Sequence, residues 1–314
     1  MSRNTVCLIL CTMAVSFSPA IAQRRTATFT SFDVPGATST TPWGINADGA
    51  VVGIYVDSAA GKEHGFLLSG GTFTTIDYPS ALATRLRGLN AQGDIVGFHI
   101  DTQGLPGNGN RGFLLHQGVF TDVNYPGHLN TAPTRINDAG QIVGCYHDTD
   151  TMGTMHGFLF SGGNYTDLSV PASMNNGVMP DGIVTAGLYT DMMTGVGHGY
   201  LSSGGNIAPF DFPFSVSTSA LDMNASGEVV GLYTDAAKKT HGFLLSLGDA
   251  VATFGITPQG GMNGAFDFVS IDYPGATFTQ AGGINSRGDV VGGYVDSAGK
   301  MHGFLLTPGR PHQE

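Results

Sequence analysis

Charge is scarce in this chain: of 314 residues only 12% are Asp, Glu, Lys or Arg. Cysteine and tryptophan are scarcer still, with 3 Cys and 1 Trp. Cys7 and Cys11 fall in an N-terminal apolar run, which leaves Cys145 alone. No intrachain disulfide can then staple the remainder, and stability must come from packing. With Trp43 as the sole indole, any aromatic platform would rest on Tyr and Phe. No segment sustains a 3.6-residue apolar period, which excludes solenoids built from helix pairs. Basic residues are outnumbered 13 to 24, and the net charge of −11 repels phosphate backbones, so nucleic acid is excluded as a partner.

The N-terminus carries Arg3, an apolar run from Val6 to Phe17, and Ala20-Ile21-Ala22 before Gln23. This reads as a Sec-type signal peptide over residues 1–22, cleaved after Ala22, and places the protein outside the cytoplasm, secreted or periplasmic. The run falls short of the roughly 20 residues that span a bilayer and no second one follows, so no membrane span is expected. Leu10 before Cys11 does not fit a lipidation site. Residues 23–314 read as one domain, expected to act as a monomer.

A repeat fills that domain. Its frame runs Asp-aromatic-Pro, a Thr seven residues after the Asp, Gly-Ile-Asn, a turn ending in Gly, Val-Val-Gly-x-Tyr-x-Asp, a loop, then His-Gly-Phe-Leu. The closing Gly of the Val-Val-Gly motif falls at Gly53, Gly97, Gly144, Gly187, Gly231 and Gly292, at intervals of 44, 47, 43, 44 and 61. The longest interval holds a Gly-rich insertion at about 249–264. Each copy contains four short runs with strand character separated by turn residues, as in Thr72 to Tyr78, Arg85 to Asn90, Asp94 to Ile100 and Arg111 to His116. Four strands per 40 to 50 residues is the period of a β-propeller blade. The expected fold is an all-β, six-bladed propeller whose N- and C-terminal strands share a blade, with a β-solenoid as the alternative. Asn-x-x-Gly between the second and third runs suits a type I turn with a left-handed Gly.

His-Gly-Phe-Leu-Leu, preceded by Gly-Ile-Asn-x-x-Gly-x-Val-Val-Gly, resembles the bacterial extracellular HAF repeat family, named for a His-Ala-Phe triplet. Gly65, Gly157, Gly199, Gly242 and Gly303 stand where the family has Ala. The resemblance implies export and a repeated all-β fold. It brings no catalytic residues.

Every copy has an Asp two residues after the Tyr position, and five of six have a His opening the last strand. The pairs Asp57–His64, Asp148–His156, Asp191–His198, Asp235–His241 and Asp296–His302 are expected to clamp the hairpin between them. In the second copy Arg111 replaces His and can pair with Asp101. Equivalent positions on six blades suit scaffold rather than catalysis. No metal or other cofactor is expected, because five ringed imidazoles are too many for one ion. The Thr column (Thr40, Thr84, Thr131, Thr218 and Thr279) and the Asp-x-Pro column suit turn and strand-end hydrogen bonds.

Function should lie where copies break the pattern. Arg85, Arg87, His99, Arg135 and His147 depart from their columns; they read either as scattered solvated charge or as a candidate cationic patch for a carboxylate-bearing or sulfated ligand. Gly107-x-Gly109-x-x-Gly112 opens no helix, so it is no dinucleotide loop. The stretch Asp148 to Gly153 lacks the Glu of a calcium loop. The expectation is a non-catalytic scaffold presenting a rigid surface to a glycan or cell-envelope polymer. A glycan hydrolase or lyase at the channel mouth, or a structural module, are the alternatives.

Overall fold

The computed structural model describes residues 27–101, 109–128, 130–148, 155–204, 206–247 and 267–309. The expected signal peptide over 1–22, the insertion at 249–264 and most of the loops carrying the Gly107 and Asp148 motifs lie outside them. The described residues form 24 strands and no helix, in six four-stranded antiparallel sheets. Blade one shows the order from the axis outwards: β2 (Ala37–Ile45), β3 (Val51–Asp57), β4 (Glu63–Ser69), β5 (Thr72–Ile76). The inner strands of the other blades are β6 (Ala83–Leu89), β10 (Thr131–Ile136), β14 (Ser173–Val178), β18 (Ser217–Met223) and β22 (Phe278–Ile284). Each touches the next, and β22 touches β2, so the ring is closed. The first strand, β1 (Thr28–Phe32), pairs antiparallel with the last, β24 (Met301–Thr307), and completes blade six as its outer strand. A six-bladed propeller closed in this way leaves no interrupted blade, as the repeat predicts.

The motif residues explain the packing. Gly53 lies opposite Phe66 across β3 and β4. A Cβ at Gly53 would fall 2.3 Å from the Thr41 carbonyl oxygen and 2.7 Å from the Phe66 ring, so no side chain fits there. The released space takes the Phe of His-Gly-Phe: Phe66, Phe113, Phe158, Phe243 and Phe304 are fully buried, and Tyr200 fills the place in blade four. Each buried ring contributes on the order of 1.5–3 kcal/mol. Val34, Ile45, Val51, Phe66 and Val291 form one cluster drawn from blades one and six, so the core lies between blades.

The two faces of the ring differ. One carries the Asn turns, which do more than turn. Asn46 Oδ1 accepts the amides of Asp48 and Ala50, while its Nδ2 donates to the carbonyl of Asn90 in the next blade at 3.2 Å. Asn90 donates likewise to Asn137, Asn137 to Met179, Asn224 to Asn285, and Asn285 back to Asn46. Met179 interrupts this circle, and Asn176 donates to Ala220 instead, at 3.0 Å. The opposite face carries the hairpins that join the second and third strands of each blade, and the Asp-aromatic-Pro links.

Candidate functional site

On the hairpin face three of the five repeated histidines sit between two carboxylates. His64 places Nε2 3.0 Å from Asp57 and Nδ1 2.7 Å from Asp77. His302 is bracketed by Asp296 at 3.2 Å and Asp33 at 2.8 Å, and His241 by Asp235 at 3.4 Å and Asp272 at 2.6 Å. His156 lies 2.9 Å from Asp148, whereas His198 meets Asp211 at 2.9 Å and not the expected Asp191, whose Oδ1 accepts the Met193 and Thr194 amides. The second carboxylate comes from the Asp-x-Pro column, so each bracket ties the outer strand to the hairpin. Backbone amides set the hairpin aspartates: the Ala60 amide, then His64, push Asp57 down to about 2. The Met193 and Thr194 amides lower Asp191 in the same way. The buried Thr column accepts the amide of the Asp-x-Pro middle residue six positions earlier, as Thr84 does from Tyr78 at 2.9 Å.

Blade two breaks this arrangement at three neighbouring positions. Elsewhere a Tyr hydroxyl reaches the outer strand: Tyr55 to Thr75, Tyr146 to Asp167, Tyr233 to Ser270 and Tyr294 to Ser31. In blade two the shorter His99 replaces that Tyr, Arg111 replaces the bracketed His and Asn124 replaces the Asp, while Asp122 stands in the column of Thr75 as Asp167 does in blade three. His99 lies opposite Arg111 across β7 (Ile95–Ile100) and β8 (Asn110–His116). The missing phenol leaves a cavity of about 440 Å³ lined by Tyr78, Pro79, Ser80, His99, Asp101, Arg111, Asp122 and Asn124.

The groups around this cavity are firmly set. Tyr78 stacks on His99 with ring centroids 3.6 Å apart, and its hydroxyl donates to Asp122 at 3.2 Å. Asn124 Oδ1 accepts the Gly112 amide at 2.9 Å. His99 is 5% exposed, and its Nδ1 has no partner among the described residues. Burial pushes the imidazole below its usual range against the pull of Asp101 and Asp122, so it is neutral at pH 7. Burial, with Asp122 beside it, raises Tyr78. Asp101 and Arg111 are both engaged. The lining therefore offers two carboxylates, one guanidinium, a neutral imidazole, an amide, a hydroxyl and an aromatic edge.

The three arginines of the expected patch converge elsewhere, on the axis. Every inner strand carries a bulge at the same place, between Pro42 and Gly44 in blade one and at the equivalent residues of the others. The middle residue of a bulge has no ladder partner. Arg135 collects four of the carbonyls so released: Trp43 at 2.9 Å, Arg87 at 2.8 Å, Thr134 at 2.7 Å, and Gly282. Its Nε lies 3.0 Å from Asp222 Oδ1, an ion pair off the best hydrogen-bond direction. Asp222 also accepts the amides of Met223 and Ile284. Burial pushes its carboxyl up, opposed by Arg135 and those amides. The pair occupies a column that is Gly44, Gly88, Gly177 and Gly283 in the other blades. It forms the floor of a cavity of about 130 Å³ on the Asn face. Arg87 lies over Trp43, 3.6 Å from the ring centroid, and burial, then Arg135, push it down to about 9.

A single surface patch of Arg85, Arg87, His99, Arg135 and His147 is therefore not formed. Arg85 pairs with Glu63 at 2.7 Å. Thr84 faces His99 and Arg85 faces Phe98, so Arg85 and His99 lie on opposite faces of the sheet. His147 is buried, and its carbonyl accepts from His128 at 2.9 Å. Sequence reasoning missed Asp222, Asp122 and Asn124. Asp222 is legible as Asp-Met-Asn in a Gly-Ile-Asn column, and Asn124 by setting the outer strands side by side; Asp122 does not stand out, since Asp167 shares its column. Among the described residues no three His, Cys, Asp or Glu side chains are placed to hold a metal.

No protein-family model matches the chain, and no curated protein matches it either. Solved structures share its architecture. TolB from Acinetobacter baumannii superposes with a TM-score of 0.54 at 10% identity, over 88% of this chain and 65% of that one. An acylaminoacyl peptidase gives 0.49 at 10% identity, over 88% and 44%. A fucose-specific lectin from Aleuria aurantia gives 0.46 at 10%, over 93% and 98%. The chain thus spans 65% and 44% of the first two. At such identity the likeness defines the class of fold, a propeller, and nothing finer.

Proposed function

We propose that this protein is an exported, non-catalytic binding propeller whose ligand site is the blade-two cavity, and that the ligand is a saccharide unit of an uncharged glycan or cell-envelope polymer. Convergence carries the reading: three departures from the repeat, at His99, Arg111 and Asn124, gather with Asp122 around one cavity. Sugar hydroxyls both donate and accept, and this lining offers acceptors in its carboxylates, donors in its guanidinium and amide, and an aromatic edge for a ring face. Two carboxylates against one guanidinium disfavour a uronic or sulfated ligand, which reverses the preference drawn from the arginines alone. Export rests on the leader-like residues 1–22 and accords with the resemblance to HAF repeats.

Titration calorimetry against neutral and uronic oligosaccharides tests this. Binding of a neutral saccharide that weakens tenfold or more in Arg111→Ala, about 1.4 kcal/mol, is the expected result. A preference for uronic ligands, or affinity untouched by the substitution, would overturn it.

A further inference from the structure

The channel holds one cation too many. Arg85 is paired with Glu63 and Arg135 with Asp222, so three guanidiniums face two carboxylates. Among the described residues the Arg87 guanidinium donates no hydrogen bond; it packs over Trp43, and the titratable groups beside it are Arg135, Cys145 and Arg85, of which the Cys145 thiol is pushed up to about 12 by burial and supplies no negative charge at pH 7. Arg87 Nε and Trp43 Nε1 are both buried without an acceptor. A buried donor left unpaired is costly, and a charged one more so. Nothing in the repeat requires an arginine here, since the same bulge position holds Trp43, Thr134, Asn176, Leu221 and Gly282 in the other blades.

We propose that the channel beside Arg87 binds a small monovalent anion of halide size, held by the Arg87 guanidinium with the Trp43 indole N–H as a second donor. One residual positive charge calls for one negative charge. The ligand must be small because the inner strands converge closely at this level: one guanidinium, that of Arg135, reaches the bulge carbonyls of Trp43, Arg87, Thr134 and Gly282, drawn from four blades. The site is distinct from the blade-two cavity, whose lining includes neither Arg87 nor Trp43.

Trp43 is the only tryptophan, so indole emission reports on this place alone. The test titrates bromide, a heavy-atom quencher, into the full chain at constant ionic strength maintained with gluconate, which is too large for the channel. The expected result is saturable quenching in the wild type that chloride reverses, and only linear, collisional quenching in Arg87→Met. Arg87→Gln, neutral but polar, serves the same purpose if the Met variant fails to fold. Linear quenching in the wild type, failure of chloride to compete, or the same saturation in the folded variant would each overturn the proposal.

Discussion

At the residue scale, one arginine does work that no repeated residue does. Arg135 gathers carbonyls from blades six, one, two and three, and meets a carboxylate from blade five. Removing one member of a buried ion pair leaves the other uncompensated, at about 3–5 kcal/mol. Arg135→Met should lower urea stability by that order. The double variant Arg135→Met/Asp222→Leu should lose less than the sum of the single losses, since the residues are directly coupled. Additive losses would show that the carbonyl contacts act without the ion pair. The oddness of Arg135 was legible in its column, but its role was not. That role needs carbonyls released by bulges in four strands, and a bulge is a property of strand pairing.

At the element scale, the hairpin was the most legible unit. The Asp and His of five copies, and Asp101 and Arg111 of the second, fall across one loop, so their spacing alone suggests contact. The bracketing carboxylate was not legible, because in blade six it is Asp33, near the opposite end of the chain from His302. The Asn turn was half legible: Gly49 adopts φ 84° as a left-handed turn residue should, whereas the donation from Asn46 into the next blade exists only in the assembled ring. The loops also set an acid limit. Asp57 is depressed from 3.8 to about 2, and Asp191, Asp235 and Asp296 are lowered as well, chiefly by loop amides. A carboxyl depressed by folding stabilises the fold above its unfolded value, and that contribution is lost as pH falls through the folded one. The melting temperature should therefore drop between about pH 4 and pH 2, and Asp57→Asn should reduce the drop. A melting temperature that is flat over that window would contradict the assignment.

At the scale of the whole molecule, the repeat and its breaks divide the labour. Glycines let strands approach, phenylalanines fill the space between blades, and β1 against β24 closes the ring. The number of blades and their closure were legible because the period and the strand left over at each end are sequence properties. The pocket was legible only in part. His99 and Arg111 stand out as single departures, but Asp122 and Asn124 gain meaning from sharing a cavity with them.

The measurement that tests this division most directly is calorimetry on two variants side by side, scoring melting temperature and saccharide binding in each. In His99→Tyr the phenol found at Tyr55, Tyr146, Tyr189, Tyr233 and Tyr294 should fill the cavity and reach Asp122, leaving the melting temperature unchanged or higher while binding disappears. In His241→Ala the bracket to Asp235 and Asp272 is cut, so the melting temperature should fall while binding persists. Binding that survives His99→Tyr, or is lost in His241→Ala with the fold intact, would contradict the account.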